Sequence, residues 1–197
     1  MVEQMVRIPR PHDRFMLWRY AQHSFHSYGE VCLARGNATR ALADADECLA
    51  LAEPTNSRKN IVKGRRLRGQ ESLAQGRPAE AERDLAIALQ VAQQVGNPPQ
   101  LWKTYEARGD LRRAQGRAQD AHAAWYAALA SIDGVAATLT DAVLRETFLG
   151  SAHVHHIRRL AGWPDAPFLS GPEAEPRETK PLLWRSEGPA SRSAGRT

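Results

Sequence analysis

The chain repeats itself at intervals of 40 residues, and few folds are compatible with that repetition. Residues 109–132 read GDLRRAQGRAQDAHAAWYAALASI, residues 69–92 read GQESLAQGRPAEAERDLAIALQVA, and residues 29–52 read GEVCLARGNATRALADADECLALA. Gly29, Gly69 and Gly109 open the units, and Gly36, Gly76 and Gly116 lie inside them. Ala34, Ala74 and Ala114 recur in the same way, as do Ala41, Ala81 and Ala121 and then Leu49, Leu89 and Leu129. Self-similarity with a period of about 20 to 50 residues marks an array of one supersecondary unit, which buries its apolar face only against its neighbours.

Within each unit the apolar residues step by threes and fours, the spacing of one helical stripe. Phe15, Trp18, Ala21, Phe25, Tyr28 and Cys32 predict a helix from about residue 13 that closes near Gly36. Ala41, Ala45, Cys48, Leu49 and Ala52 predict its partner, ending before Pro54. In the second unit Asn56 or Ser57 can cap a helix running to about Gln75, and Pro78 suits the first turn of the next. That partner carries Ala81, Leu85, Ala88, Leu89, Ala92 and Val95, with Gly96 placed as its left-handed terminator. Asn97-Pro98-Pro99 restarts the chain into Leu101, Trp102, Tyr105 and Leu111, followed by a helix with Ala121, Ala124, Trp125, Ala128, Leu129 and Ile132. Trp125 occupies the slot of Leu85 and Ala45 in the earlier units.

These signals predict an all-α chain built of three antiparallel helical hairpins, over about 13–55, 56–96 and 97–134. Beyond Gly134 the repeat stops. Thr140-Asp141 opens a short helix with Val143, Leu144, Phe148 and Leu149, and a second is expected over about 151–160. Residues 135–162 are therefore expected to cap the last apolar face. Residues 1–12 read as a flexible leader, and 163–197, rich in Pro, Gly, Ser and Arg, as a disordered tail with one apolar cluster at Leu182-Leu183-Trp184. Phe15 and Trp18 have no preceding unit to cover them, which raises the expectation of self-association through the first helix.

Composition narrows the function classes. No run approaches the roughly 20 apolar residues of a membrane helix, and the first residues lack the apolar core of a secretory signal, so the expected location is the cytoplasm. Cys32 and Cys48 stand far apart without a Cys-x-x-Cys or zinc spacing, and read as small buried hydrophobes. The net charge of +5 favours acidic partners in general. No phosphate loop is present, since Lys63-Gly64 lacks both the upstream glycine and the following Ser or Thr, and no nucleophile elbow is found. His153, His155 and His156 have no Cys, Asp or Glu at ligand spacing and read as a surface patch. Trp102, Tyr105, Trp125 and Tyr126 fit packing slots better than base-stacking positions. The chain is accordingly expected to have no catalytic residue, no metal and no cofactor.

A glycine, a second glycine seven residues on, alanine five further, alanine or cysteine seven further and then leucine make a pattern that resembles the tetratricopeptide repeat in its lengthened form of 40 residues. The stretch from about 13 to 160 also resembles the C-terminal repeat region of large bacterial signalling proteins with ATPase, nucleotide-cyclase or LuxR/MalT-type modules upstream, on the segments SRKNIVKGRRLRG, VGNPPQLWKTYEARGDLRRAQGR and LRETFLGSAHVHHIRR. The resemblance implies an α-solenoid, a right-handed superhelix of three repeats with C-terminal capping helices, working as a protein interaction or regulatory scaffold. It implies that the first helix of each hairpin lines a concave groove, through His23, His26 and Glu30, then Lys63, Arg66 and Gln70, then Lys103, Glu106 and Asp110. Arg19 and Lys59, one turn earlier, extend the row. The expected ligand is a peptide or partner helix, acidic toward the basic centre. His26 and Glu30 depart from the lysine and asparagine of a carboxylate clamp, so chaperone-tail binding is not expected. The alternative is nucleic-acid binding along residues 59–68, whose Lys59, Lys63, Arg65, Arg66 and Arg68 form a run without an acid.

Overall fold

Three turns with the same backbone fix where the helices begin and end. The glycines at their centres, Gly36, Gly76 and Gly116, have φ of 73°, 71° and 74°, a left-handed conformation that costs residues with a Cβ far more than it costs glycine. In each turn the amide following the glycine donates back five residues: Asn37 to Cys32, Arg77 to Ser72 and Arg117 to Arg112, at 2.8–2.9 Å. These are Schellman closures, which satisfy the last carbonyls of one helix and aim the chain into the next. Gly96, with φ of 65°, ends a fourth helix in the same conformation, after which Asn97 caps the fifth by accepting from Gln100 N.

The computed structural model describes residues 14–162, with side chains from Tyr20 onward. The predicted leader and tail lie outside the described residues, as do the side chains of Phe15, Trp18 and Arg19. The described chain is all-helical: α1 (Arg14–Ala34), α2 (Ala38–Ala52), α3 (Arg58–Ala74), α4 (Pro78–Val95), α5 (Pro98–Ala114), α6 (Ala118–Thr138), α7 (Ala142–Leu149) and α8 (Ala152–Leu160). Consecutive helices pack on one another, and α1 also touches α3, α3 touches α5, and α6 touches α8.

The even-numbered helices α2, α4 and α6 bury the same register. Ala41, Ala45, Cys48, Leu49 and Ala52 are matched by Ala81, Leu85, Ala88, Leu89 and Ala92, and then by Ala121, Trp125, Ala128, Leu129 and Ile132. Each opening glycine is the seat for a side chain from another helix. A Cβ at Gly69 would lie 2.7 Å from Leu85, and one at Gly109 only 2.1 Å from Trp125 Nε1. Gly29 faces the smaller Ala45 slot, and Leu67 of α3 fills the space instead, 2.5 Å from where a Cβ would stand. Small residues at the contact allow the helices to approach closely enough for their ridges to interlock.

Arg65 stands where the other units have Phe25 and Tyr105, and Arg68 where they have Tyr28 and Arg108, and Asp84 is what engages both arginines. Its carboxylate accepts from Arg65 at 3.0 Å and from Arg68 at 2.7 and 2.8 Å, tying α3 to α4; Arg68 also reaches Asp46 at 3.1 Å and Arg65 reaches Glu53. In the third unit the position of Asp84 is Ala124, which has no carboxylate to offer.

Four details differ from the sequence reading. Helix α6 runs through Gly134 to Thr138, because Gly134 keeps helical backbone and only Leu139 turns extended. Tyr28, placed on the apolar stripe, is exposed with the Arg40 guanidinium 5.3 Å above its ring. Tyr126, read as core, is also exposed. The last apolar face is covered mainly by α8, through Val154 and Ile157, while Val143 and Leu144 of α7 are exposed and only its Phe148 and Leu149 pack inward.

The glycine seats make a direct prediction. Gly109→Ala should destabilise the chain by about 1–3 kcal/mol by displacing the Trp125 indole. Gly134→Ala, in open helical backbone, should stabilise it by about 0.5–1 kcal/mol. Urea denaturation followed by circular dichroism checks both.

Candidate functional site

Three residues before each seat glycine stand His26, Arg66 and Glu106. At 3.6 residues per turn such a residue lies about 60° around the helix from its glycine, so the same packing that seats the glycines turns all three side chains the same way. His26 and Arg66 are 3% and 2% exposed, and Glu106 is partly buried. Arg66 Nη1 donates to Gln100 Oε1 at 2.9 Å, joining α3 to α5, and Nη2 stands 4.0 Å from Glu30 Oε1 on α1. Lys63 Nζ lies 3.1 Å from His23 Nδ1, a second link between α1 and α3.

Burial dominates the electrostatics of this row. His26 is pushed down to about 3, first by burial and then by the positive charges of Arg66, Lys63, Lys103 and His23, so it is neutral and its 3.4 Å approach to Glu30 is no ion pair. Arg66 is lowered to about 10 by burial, against the opposing pull of Glu30 and Glu106. Lys63 is lowered by burial and by Lys59 and Arg66. Glu106 is pushed up to about 7 by burial and by Asp110, with Arg66 and Lys103 working against the rise.

The sequence-predicted residues divide by helix. His23, His26 and Glu30 sit on α1, with Glu30 at the exposed rim, and Arg19 belongs to α1 with a side chain outside the described residues. Lys59, Lys63, Arg66 and Gln70 share one face of α3, Lys59 exposed and Gln70 half-buried. Lys103, Glu106 and Asp110 share one face of α5, where Asp110 pairs with Arg113 at 3.0 Å. Arg65 and Arg68 point to a different face of α3, into a cleft of about 440 Å³ whose Asp46 and Asp84 neutralise them.

Three participants escaped the sequence reading. His153 and His156 of α8 are not simply a surface patch: each ring places Nε2 3.5 Å from an oxygen of Glu106. For His153 the contact lacks hydrogen-bond geometry, leaving its buried Nε2 without a hydrogen-bond partner. Their spacing of three was visible, but the glutamate they meet is some 50 residues upstream. Gln100, which holds Arg66, carries no local signal at all. Among the described residues no group of His, Cys, Asp or Glu is arranged to hold a metal ion, and no helix is long and apolar enough to cross a membrane. No family model, curated protein or solved structure matches the chain.

The row's opposing shifts give a pH signature. His26 has a lowered folded pKa, so the stability it contributes is full above its unfolded value of 6.5 and is lost as pH falls toward 3. Glu106 has a raised one, so its contribution is full below 4.5 and is lost as pH rises through 7. In Glu106→Gln the urea midpoint should therefore fall steadily from pH 6.5 downward, and adding His26→Gln should flatten that slope.

Proposed function

We propose that the described helices form a solenoid of three tetratricopeptide-like hairpins with a C-terminal cap, and that the face formed by α1, α3 and α5 is a groove for an acidic peptide or partner helix. The repeat pattern at 40 residues, the three identical turns and the contacts of α1 with α3 and α3 with α5 support the solenoid. On this reading the chain is a non-enzymatic interaction and regulatory scaffold of the cytoplasm, related to the repeat regions of bacterial signalling proteins.

One observation carries the choice of an acidic ligand: each acid of the face lies against a basic or histidine side chain, while its lysines have no carboxylate at ion-pairing distance among the described residues. Asp110 is paired with Arg113, Glu106 faces His153 and His156, and Glu30 lies against His26 and Arg66. Lys59 and Lys103 have no carboxylate within ion-pairing distance among the described residues, and Lys63 meets only a histidine ring. A ligand carboxylate supplies what these ammonium groups lack, each contact contributing about 0.2–1 kcal/mol, with affinity arising from several together. The basic run 59–68 is less suited to nucleic acid than its composition suggests, because Arg65 and Arg68 are neutralised and Arg66 is buried.

The test is fluorescence anisotropy with a labelled, acetylated hexaglutamate peptide at pH 6. Lys63→Glu with Lys103→Glu should weaken its binding roughly tenfold, both positions being accessible enough to change without unfolding the chain. Equal binding by the double variant, or tighter binding of a single-stranded oligonucleotide than of the peptide, would contradict the groove assignment.

A further inference from the structure

Glu106 is the acid of the groove that meets the histidines of the C-terminal helix α8. It feels the positive charge of the buried Arg66 of α3, its oxygens lie 3.5 Å from the two histidines of α8, and Lys103 is one turn away on its own helix. We propose, resting on the groove reading, that Glu106 is a proton switch on that groove: protonated, it leaves Arg66 and Lys103 to attract a ligand carboxylate; ionised, it takes that attraction for itself and repels the ligand.

The geometry supplies the competition. Arg66 has a single close hydrogen bond, to a neutral amide oxygen of Gln100, and its nearest carboxylate, Glu30, is 4.0 Å away. A buried guanidinium with so little anionic compensation creates a positive field at the face above it, since charges buried in a low-dielectric setting interact more strongly than exposed ones. Lys63 and Lys103 extend that field on either side, as their shared effect on His26 reveals. Besides Glu30, the internal carboxylate that acts on Arg66 is Glu106, partly buried and facing the histidines of α8. An incoming carboxylate and an ionised Glu106 would then be like charges beside the same cations, and one of them must give way.

The protonation equilibrium falls where this competition has consequences. Burial and Asp110 raise Glu106 to about 7, so its charge changes across neutral pH. The groups acting around it are Arg66 from α3, Lys103 and Asp110 from α5, and His153 and His156 from α8, with His26 and Glu30 of α1 beyond Arg66. His153 and His156 are themselves titratable groups set against that carboxylate. A control that leaves them intact is therefore required.

Binding of the labelled hexaglutamate peptide to the full chain, at constant ionic strength, separates these contributions. If only the neutral form of Glu106 accepts the ligand, apparent affinity should be roughly tenfold weaker at pH 8 than at pH 6. Glu106→Gln, isosteric and permanently neutral, should bind at pH 8 nearly as well as the unaltered chain does at pH 6. His153→Gln with His156→Gln should retain most of the tenfold change. A pH response in Glu106→Gln equal to that of the unaltered chain overturns the switch and leaves the groove standing. Binding that survives Lys63→Glu with Lys103→Glu overturns the groove. Absence of binding at pH 6 overturns both.

Discussion

Close approach of helices at three glycines is the constraint on which the rest depends. Because Gly69 and Gly109 have no Cβ, Leu85 and Trp125 can lie directly on the backbone of the preceding helix, and Gly29 receives Leu67 in the same way. That contact does more than fill space. It fixes the rotation of α1, α3 and α5 about their own axes, and a helix fixed in rotation has every other side chain assigned to a face. His26, Arg66 and Glu106 are brought to one row by this phase-locking, whatever their own chemistry.

The polar row therefore records a division of labour within each odd-numbered helix. On α3, Arg65 and Arg68 neutralise Asp84 and Asp46 and bind the helix to its neighbours, while Lys59 and Lys63, one face around, make no such pairs. Asp84 itself illustrates the balance: burial raises its pKa, and the hydrogen bonds from Arg68 and Arg65 more than reverse that, leaving it below the ordinary value. Arg66 lies between the two roles, buried like a structural residue and charged like a binding one. Its hydrogen bond to Gln100 makes the α3 to α5 contact polar, whereas α4 and α5 meet through Ala81, Leu85, Ala107 and Leu111.

The local grammar was legible: Gly36, Gly76, Gly96 and Gly116 announce left-handed turns, and Asn97 and Asp141 announce caps that accept from amides two or three residues on. Those signals depend on neighbours within five residues, which a sequence displays side by side. What it does not display is which partner answers a residue across the fold. Arg65 and Arg68 read as part of a run without an acid because Asp84, which answers them, is a separate helix away, and Gly134 misled because its backbone stays helical. Tyr28 and Tyr126 had the right spacing for a core and lie just off its edge, a difference of part of a turn. The histidines of α8 could be seen as a cluster, but their meeting with Glu106 requires α7 and α8 to fold back along α6.

Glu106 tests the whole arrangement in one titration, since its environment exists only if α3, α5 and α8 converge as described. Carbon-13 NMR of its side-chain carboxyl across pH 4 to 9 is the direct measurement. A midpoint near 7, moved further upward when Arg66 is replaced by Gln in a chain that remains helical, is the result the account predicts. A midpoint close to the ordinary 4.5, indifferent to Arg66 and to the α8 histidines, would mean that the row does not form and would contradict it.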